Sequence, residues 1–227
     1  MDKLKESFQI RQIKKDPFRI GEIENPSEKV LRAAITTNYR SIQKIKNPSV
    51  ELIKFAIINN SAVLKFLPPQ SDDINLFAIA NNPRNLIYIA NPSRVLQGAA
   101  IVKMPILIGT VEDPDIDLQM VAVTGSTNTI SRIKNPCEEA QMYVVRKSPI
   151  ALMEIKNPLI SVARLALAEY EMQTVPRPRR RRTKDEFNLH HCNFTIDEWW
   201  ELVKEKPHHW KLMNLTAEQI SYAKLCS

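Results

Sequence analysis

The side chains best suited to chemistry gather toward the C-terminal end. His190, His191, His208 and His209 are all the histidines of the 227-residue chain, and Cys192 and Cys226 are two of its three cysteines. Imidazole and thiolate are the usual ligands of tetrahedral zinc, and His190, His191 and Asn193 carry the letters of a His-Asn-His nuclease centre. The HHC and HH clusters fit no zinc-finger spacing, however, and the nuclease motif needs a ββα setting where this region reads as helix. They are read as packed or exposed side chains, so no metal and no cofactor is expected. The repeats themselves show no paired carboxylates and no Ser-His-Asp grouping, and the chain is not expected to be an enzyme.

A second chemistry is electrostatic. Lys44 and Lys46, Arg132 and Lys134, and Lys156 recur at matching positions, and Arg177, Arg179, Arg180, Arg181 and Arg182 crowd the segment TVPRPRRRRTK. Cations in register can meet the phosphates of a nucleic acid or the carboxylates of an acidic protein. Glu22, Glu24, Glu112 and Glu154 interrupt the same register, and cations near helix C-termini are favoured by the helix dipole alone. The net charge of +7 is divided modestly: residues 1–170 carry 22 basic and 17 acidic side chains, residues 171–227 carry 10 and 8. Neither part is basic enough to identify a nucleic-acid partner. Gly21, Gly98, Gly109 and Gly125 stand too far apart to build a glycine-rich phosphate loop, which excludes nucleotide-binding folds of that kind.

The elements that carry these residues follow from a repeat. Pro26, Pro48, Pro92, Pro114, Pro136 and Pro158 sit in the words ENPSEKV, KNPSVEL, ANPSRVL, EDPDIDL, KNPCEEA and KNPLISV, spaced by multiples of 22; Gln70 holds the missing place. Four residues after each anchor stand Val30, Leu52, Ile74, Leu96, Leu118, Ala140 and Val162, and eight after it Ala34, Ala56, Ala78, Ala100, Ala122, Val144 and Ala166. Apolar residues at +4, +7 and +8 predict one helix face, the small residue marking close helix contact. The Asn or Asp before the anchor is expected to be the N-cap, with proline at the first helical position. A second start signal at +12, such as Asp16-Pro17, Asn82-Pro83 and Ser148-Pro149, followed by apolar residues at +16 and +19, predicts a second helix of one or two turns. The fold class is thus all-α: an α-solenoid of seven 22-residue two-helix repeats, each too small to bury its apolar face alone.

The pattern I-x-x-I-K-N-P-S-x-E-L-x-x-x-A-I-x-x-N, from Ile42 to Asn60, resembles the short α-helical repeats of proteins from bacteriophages, large viruses and some bacteria. More distantly it is similar to variant leucine-rich and HEAT-like helical repeats. The resemblance spans about residues 8 to 170 and implies an all-helical solenoid of phage or viral origin. It brings no catalytic residues.

The repeat solenoid is expected over residues 1–170, a basic Pro/Arg linker over 171–183, and a small helical C-terminal module over 184–227. Capping boxes at Thr183/Glu186, Thr195/Glu198 and Thr216/Gln219 predict helices near 184–191, 196–206 and 217–226. Phe187, Phe194, Trp199, Trp200, Trp210 and Tyr222 are read as their core or as a cap on the solenoid end. Three cysteines, a charged N-terminus and the lack of a membrane-length apolar stretch lead to a cytoplasmic expectation with no membrane partner, the host-cell cytoplasm if the chain is phage-encoded. The favoured reading is a non-enzymatic scaffold that binds a protein partner. The alternatives are a nucleic-acid binder using the basic residues above and, behind it, a metal-dependent enzyme in the C-terminal module.

Overall fold

The computed structural model describes residues 2–174 and 192–204, which are helical with no strand among the described residues. The chain divides into two compact units, residues 1–104 and 105–227. In the first, α-helices α1 (Asp2–Lys15), α2 (Glu28–Thr37), α3 (Val50–Asn59), α4 (Asp72–Asn81) and α5 (Arg94–Lys103) pack side by side as one layer. The 3-10 helices η1 (Pro17–Glu22), η2 (Tyr39–Lys44), η3 (Ser61–Phe66) and η4 (Pro83–Tyr88) form the other, each packed against the α-helix it follows. The second unit repeats the plan with η5 (Pro105–Thr110), α6 (Ile116–Gly125), η6 (Thr127–Arg132), α7 (Glu138–Lys147), η7 (Pro149–Glu154) and α8 (Ile160–Thr174). A last helix, α9 (Ile196–Val203), packs on α8.

The two-helix repeat is therefore present, with its short helix wound as 3-10. In chain order α- and 3-10 helices alternate from α1 and η1 to α7 and η7, one step ahead of the NP words, and no 3-10 helix follows α8 among the described residues. Val30, Ala34, Ile35, Leu52, Ala56 and Ile57 from the α layer meet Ile20, Ile42 and Leu64 from the 3-10 layer in the core of the first unit. The alanines at +8 are fully buried, as a close helix contact requires. The buried stripe lies one position round from the expected face: +9 is buried throughout, whereas Phe55, Phe77 and Tyr143 at +7 are only half-buried.

The expected N-cap is corrected. Asn25, Asn47, Asn91 and Asn157 adopt φ of 49°, 48°, 48° and 53°, the left-handed region that asparagine tolerates better than most residues. They turn the chain, and proline follows in the turn rather than at the first helical position. The cap is the next residue: the hydroxyls of Ser27, Ser49 and Ser93 accept from the amides of Val30, Leu52 and Leu96 at 3.4, 3.2 and 3.4 Å, and the Asp115 carboxylate accepts from Leu118 at 3.0 Å. At +12 the sequence reading holds for Asp16 and the asparagines, whereas Ser126 and Ser148 stand at the same helix starts without a side-chain cap bond. Asn38, Asn60 and Asn82 each end an α-helix, donating their backbone N–H to the carbonyls of Ala34, Ala56 and Ala78, and begin a 3-10 helix, their side-chain oxygens accepting from Arg40, Ala62 and Arg84 at 3.0 Å. One residue thus satisfies backbone groups at both helix ends.

Consecutive repeats are also joined by buried amides at +5. Gln119 donates to the carbonyl of Pro114 at 2.8 Å, and its oxygen accepts from the backbone N–H of Cys137 in the next repeat at 2.7 Å. Gln141 does the same between Pro136 (2.8 Å) and Leu159 (3.1 Å). Glu6 accepts from the Ser27 hydroxyl at 2.7 Å and Glu138 from Ser161 at 2.6 Å, tying one helix to the start of the next.

At the C-terminal end, the capping box at Thr195 forms as expected. Its N–H donates to the Glu198 carboxylate at 2.7 Å while its hydroxyl accepts from the Glu198 N–H at 3.3 Å. The helices expected near 184–191 and 217–226 lie outside the described residues.

Two predictions follow from these joints. Gln141→Ala strands the Leu159 N–H and the Pro136 carbonyl and should cost about 2–3 kcal/mol in chemical denaturation, as unsatisfied buried groups do. Asn47→Gly should leave stability unchanged or raise it, because glycine enters the left-handed region freely, while Ser49→Ala should cost about 1 kcal/mol. If Asn47 were the cap, the order of these two variants would reverse.

Candidate binding surface

The five basic repeat residues all reach solvent. Lys44 and Arg132 are the last residues of η2 and η6, and Lys46, Lys134 and Lys156 stand in the turns that follow 3-10 helices. Lys44 crosses the preceding repeat at Gly21, where an added Cβ would come within 3.2 Å of the Lys44 Cβ; Arg132 crosses Gly109 at the same 3.2 Å. The missing side chain is what lets each basic residue lie flat there.

In the first unit the structure brings Lys44 and Lys46 together in a groove of about 570 Å³ between two successive NP turns. One turn supplies Glu22, Glu24 and Glu28, the other supplies both lysines, and Ile23, Leu31, Ile45 and Leu52 line the apolar part. The groove therefore carries both signs of charge. In the second unit, Arg132 and Lys134 share one turn, while Lys156 follows the exposed Glu154 two residues on. Arg177, Arg179, Arg180, Arg181 and Arg182 lie outside the described residues.

Cations the sequence reading did not single out occupy the 3-10 layer of the first unit. The Arg40 guanidinium lies 5.6 Å from the Phe66 ring centroid and 6.0 Å from that of Tyr39, and the Lys65 ammonium lies 4.9 Å from that of Tyr88. The Tyr39 and Phe66 rings are 6.0 Å apart. These three rings are partly buried against the core, and the cations lie over them. Among the described residues no carboxylate pairs with Arg40, Lys44, Lys65 or Arg84, whereas Arg19 and Arg32 hold Glu22 and Glu28 at 3.0 and 2.9 Å. The available signal was register: Phe66 and Tyr88 occupy the +18 position of Lys44 in successive repeats. The division of charge is sharper than the sequence reading drew it, for residues 1–104 carry 16 basic and 9 acidic side chains and residues 105–227 carry 16 of each.

The C-terminal segment is built for packing. Cys192, Trp199 and Leu202 are buried, the Phe194 and Trp199 rings meet edge to face at 5.3 Å, and Arg164 on α8 pairs with Glu201 on α9 at 3.0 Å. Hydrogen bonds from Lys204, and then from Arg164, hold the Glu201 carboxyl below its ordinary range. A hollow of about 420 Å³ opens beside α8, lined by Glu138, Asn157, Leu159, Asn193, Phe194 and Glu198. Its polar groups are engaged: Asn193 donates to Asn157 at 3.3 Å, Glu138 accepts from Ser161, and Glu198 belongs to the capping box. No cluster of His, Cys, Asp and Glu fit to hold a metal occurs among the described residues. His190, His191, His208, His209 and Cys226 lie outside them.

The fold thus defines an all-α repeat protein of stacked α/3-10 pairs. No protein-family model, curated protein or solved structure matches the chain. No described helix is long and apolar enough to cross a membrane.

Burial pushes the Cys192 thiol up to about 12, so the reactive thiolate is scarce at pH 8. Iodoacetamide at pH 8 should leave Cys192 unmodified in the folded protein and label it fully in denaturant, as peptide mapping by mass spectrometry would show. Native labelling as fast as a free thiol would refute its burial beside α9.

Proposed function

We propose that this chain is a non-enzymatic helical-repeat scaffold that binds a protein partner, a phage or viral accessory factor working in the host cytoplasm. The resemblance of the NP repeat words to phage and viral repeats supports the setting. The observation that carries the binding role is an exposed apolar register on the α layer of the first unit. Ile58 and Val102 hold the same +10 position in the last turns of α3 and α5, and are 61% and 68% exposed. Val50 and Val95, in the first turns of those helices, are 49% and 65% exposed. Single exposed aliphatics are ordinary, but their recurrence in a stacked repeat builds a surface of the kind solenoids offer to other proteins. Mixed charge in the NP turns at the start of α3, where Val50 stands, supplies a polar rim at that end.

A photo-crosslinking residue in place of Ile58, in the full chain within the producing cell, should give a discrete protein adduct that can be identified and rebuilt from purified components. In that reconstituted complex, Ile58→Asp with Val102→Asp should weaken binding by about tenfold or more. An adduct that nuclease treatment removes, or no adduct beyond that from a probe at Lys29, would overturn the reading.

A further inference from the structure

The excess positive charge of the chain lies within residues 1–104, and helices η2 to η4 of the 3-10 layer there carry no acidic residue of their own. Helices η2, η3 and η4 read YRSIQK, SAVLKF and PRNLIY, with four cations and no acid. Arg40 and Lys65 are stacked on aromatic rings rather than paired with carboxylates, so their positions are held while their N–H donors stay open to an incoming anion. Successive η helices pack directly on one another, so Arg40, Lys65 and Arg84 stand in three consecutive repeats of one layer, at +14, +17 and +14. Ile87 stands at the +17 position of Lys65 one repeat later and is 56% exposed.

This combination separates two kinds of anionic ligand. A single-stranded nucleic acid gains from free ring faces on which bases stack, but here Tyr39, Phe66 and Tyr88 pack inward on the core and carry the chain's own cations. An acidic peptide needs no such platform, and it can bring an aliphatic side chain to Ile87 as well as carboxylates to the cations. We propose that the η2–η4 layer binds an extended acidic segment of a protein, its carboxylates meeting Arg40, Lys65 and Arg84 and an apolar side chain meeting Ile87. The proposal rests on the protein-binding reading and adds to it the chemistry of the partner and a second contact surface.

The test uses the full chain and a fluorescent peptide of about twelve residues, Asp and Glu with a central Leu, followed by anisotropy. A Lys-for-acid peptide and a single-stranded oligothymidine of similar length are the comparison ligands. The acidic peptide should bind, more weakly as salt rises, and the Lys peptide should not. Arg40→Ser, Lys65→Ser and Arg84→Ser together should weaken it by about tenfold, the sum of three modest exposed charge contacts. Lys29→Ser, Arg32→Ser and Lys103→Ser, which remove the same charge from the α layer, should change it by less than about twofold. Both triple variants should melt as cooperatively as the parent. No peptide binding, equal losses in the two triple variants, or oligothymidine binding that the first variant alone abolishes would each overturn the proposal. If the Ile58 crosslink to a protein persists in those cases, the scaffold reading stands and only the acidic-segment assignment falls.

Discussion

A ten-residue α-helix leaves amides without partners at its start and carbonyls without partners at its end, and in this fold both kinds of end recur every 22 residues. Closing those ends in the least length of chain is the constraint on which the structure depends. Asparagine at +12 does it at the α-to-3-10 junction, where Asn38 donates its backbone N–H to Ala34 and accepts the Arg40 N–H on its side chain. The NP turn does it at the other junction, where a left-handed asparagine reverses the chain and a serine or aspartate caps the next helix. Because both joints are short and internally bonded, each α-helix within a unit is delivered beside the previous one with its small +8 residue buried.

Buried glutamines extend the same logic from within a repeat to between repeats. The side-chain amide of Gln119 or Gln141 matches a turn carbonyl on one side and a turn amide on the other, so it replaces the water that both groups would otherwise require. Such a polar joint is directional where apolar stacking is not, and it sets the register in which one repeat meets the next. The column at +15 shows the opposite case: Ser41 is fully buried with its hydroxyl unbonded, where Val63 and Asn85 hold the equivalent positions of the next two repeats.

Much of this architecture was legible because it repeats. Period, the buried alanines and the +12 asparagine caps follow from residue types at fixed spacing, and the Thr195 box formed as its letters indicate, while the buried stripe turned one position round from the expected face. The NP word misled at one point, since Asn-Pro suits both a cap followed by helix and a left-handed turn followed by proline; the serine after it decides the matter only once the φ values are known. The +5 glutamines were missed because a polar residue beside a buried stripe reads as surface until its two backbone partners are in place. Charge was legible in amount but not in location. The sequence already showed Glu22 and Glu24 interrupting the register of Lys44 and Lys46, and the fold adds Glu28 along the same groove. Arg40 and Lys65 became distinct only when stacked rings and the absence of nearby acids among the described residues were seen together.

The most direct measurement is residue-resolved amide hydrogen exchange on the native chain, read at Cys137 and Leu159. Neither amide donates within a helix: each follows the anchor proline of its turn, and its partner is the glutamine of the preceding repeat. If the repeats are joined as described, both amides should exchange as slowly as those in the middle of α7, and lose that protection when Gln119 or Gln141 is replaced by alanine. Exchange at the rate of exposed turn amides in the unaltered protein would contradict the account.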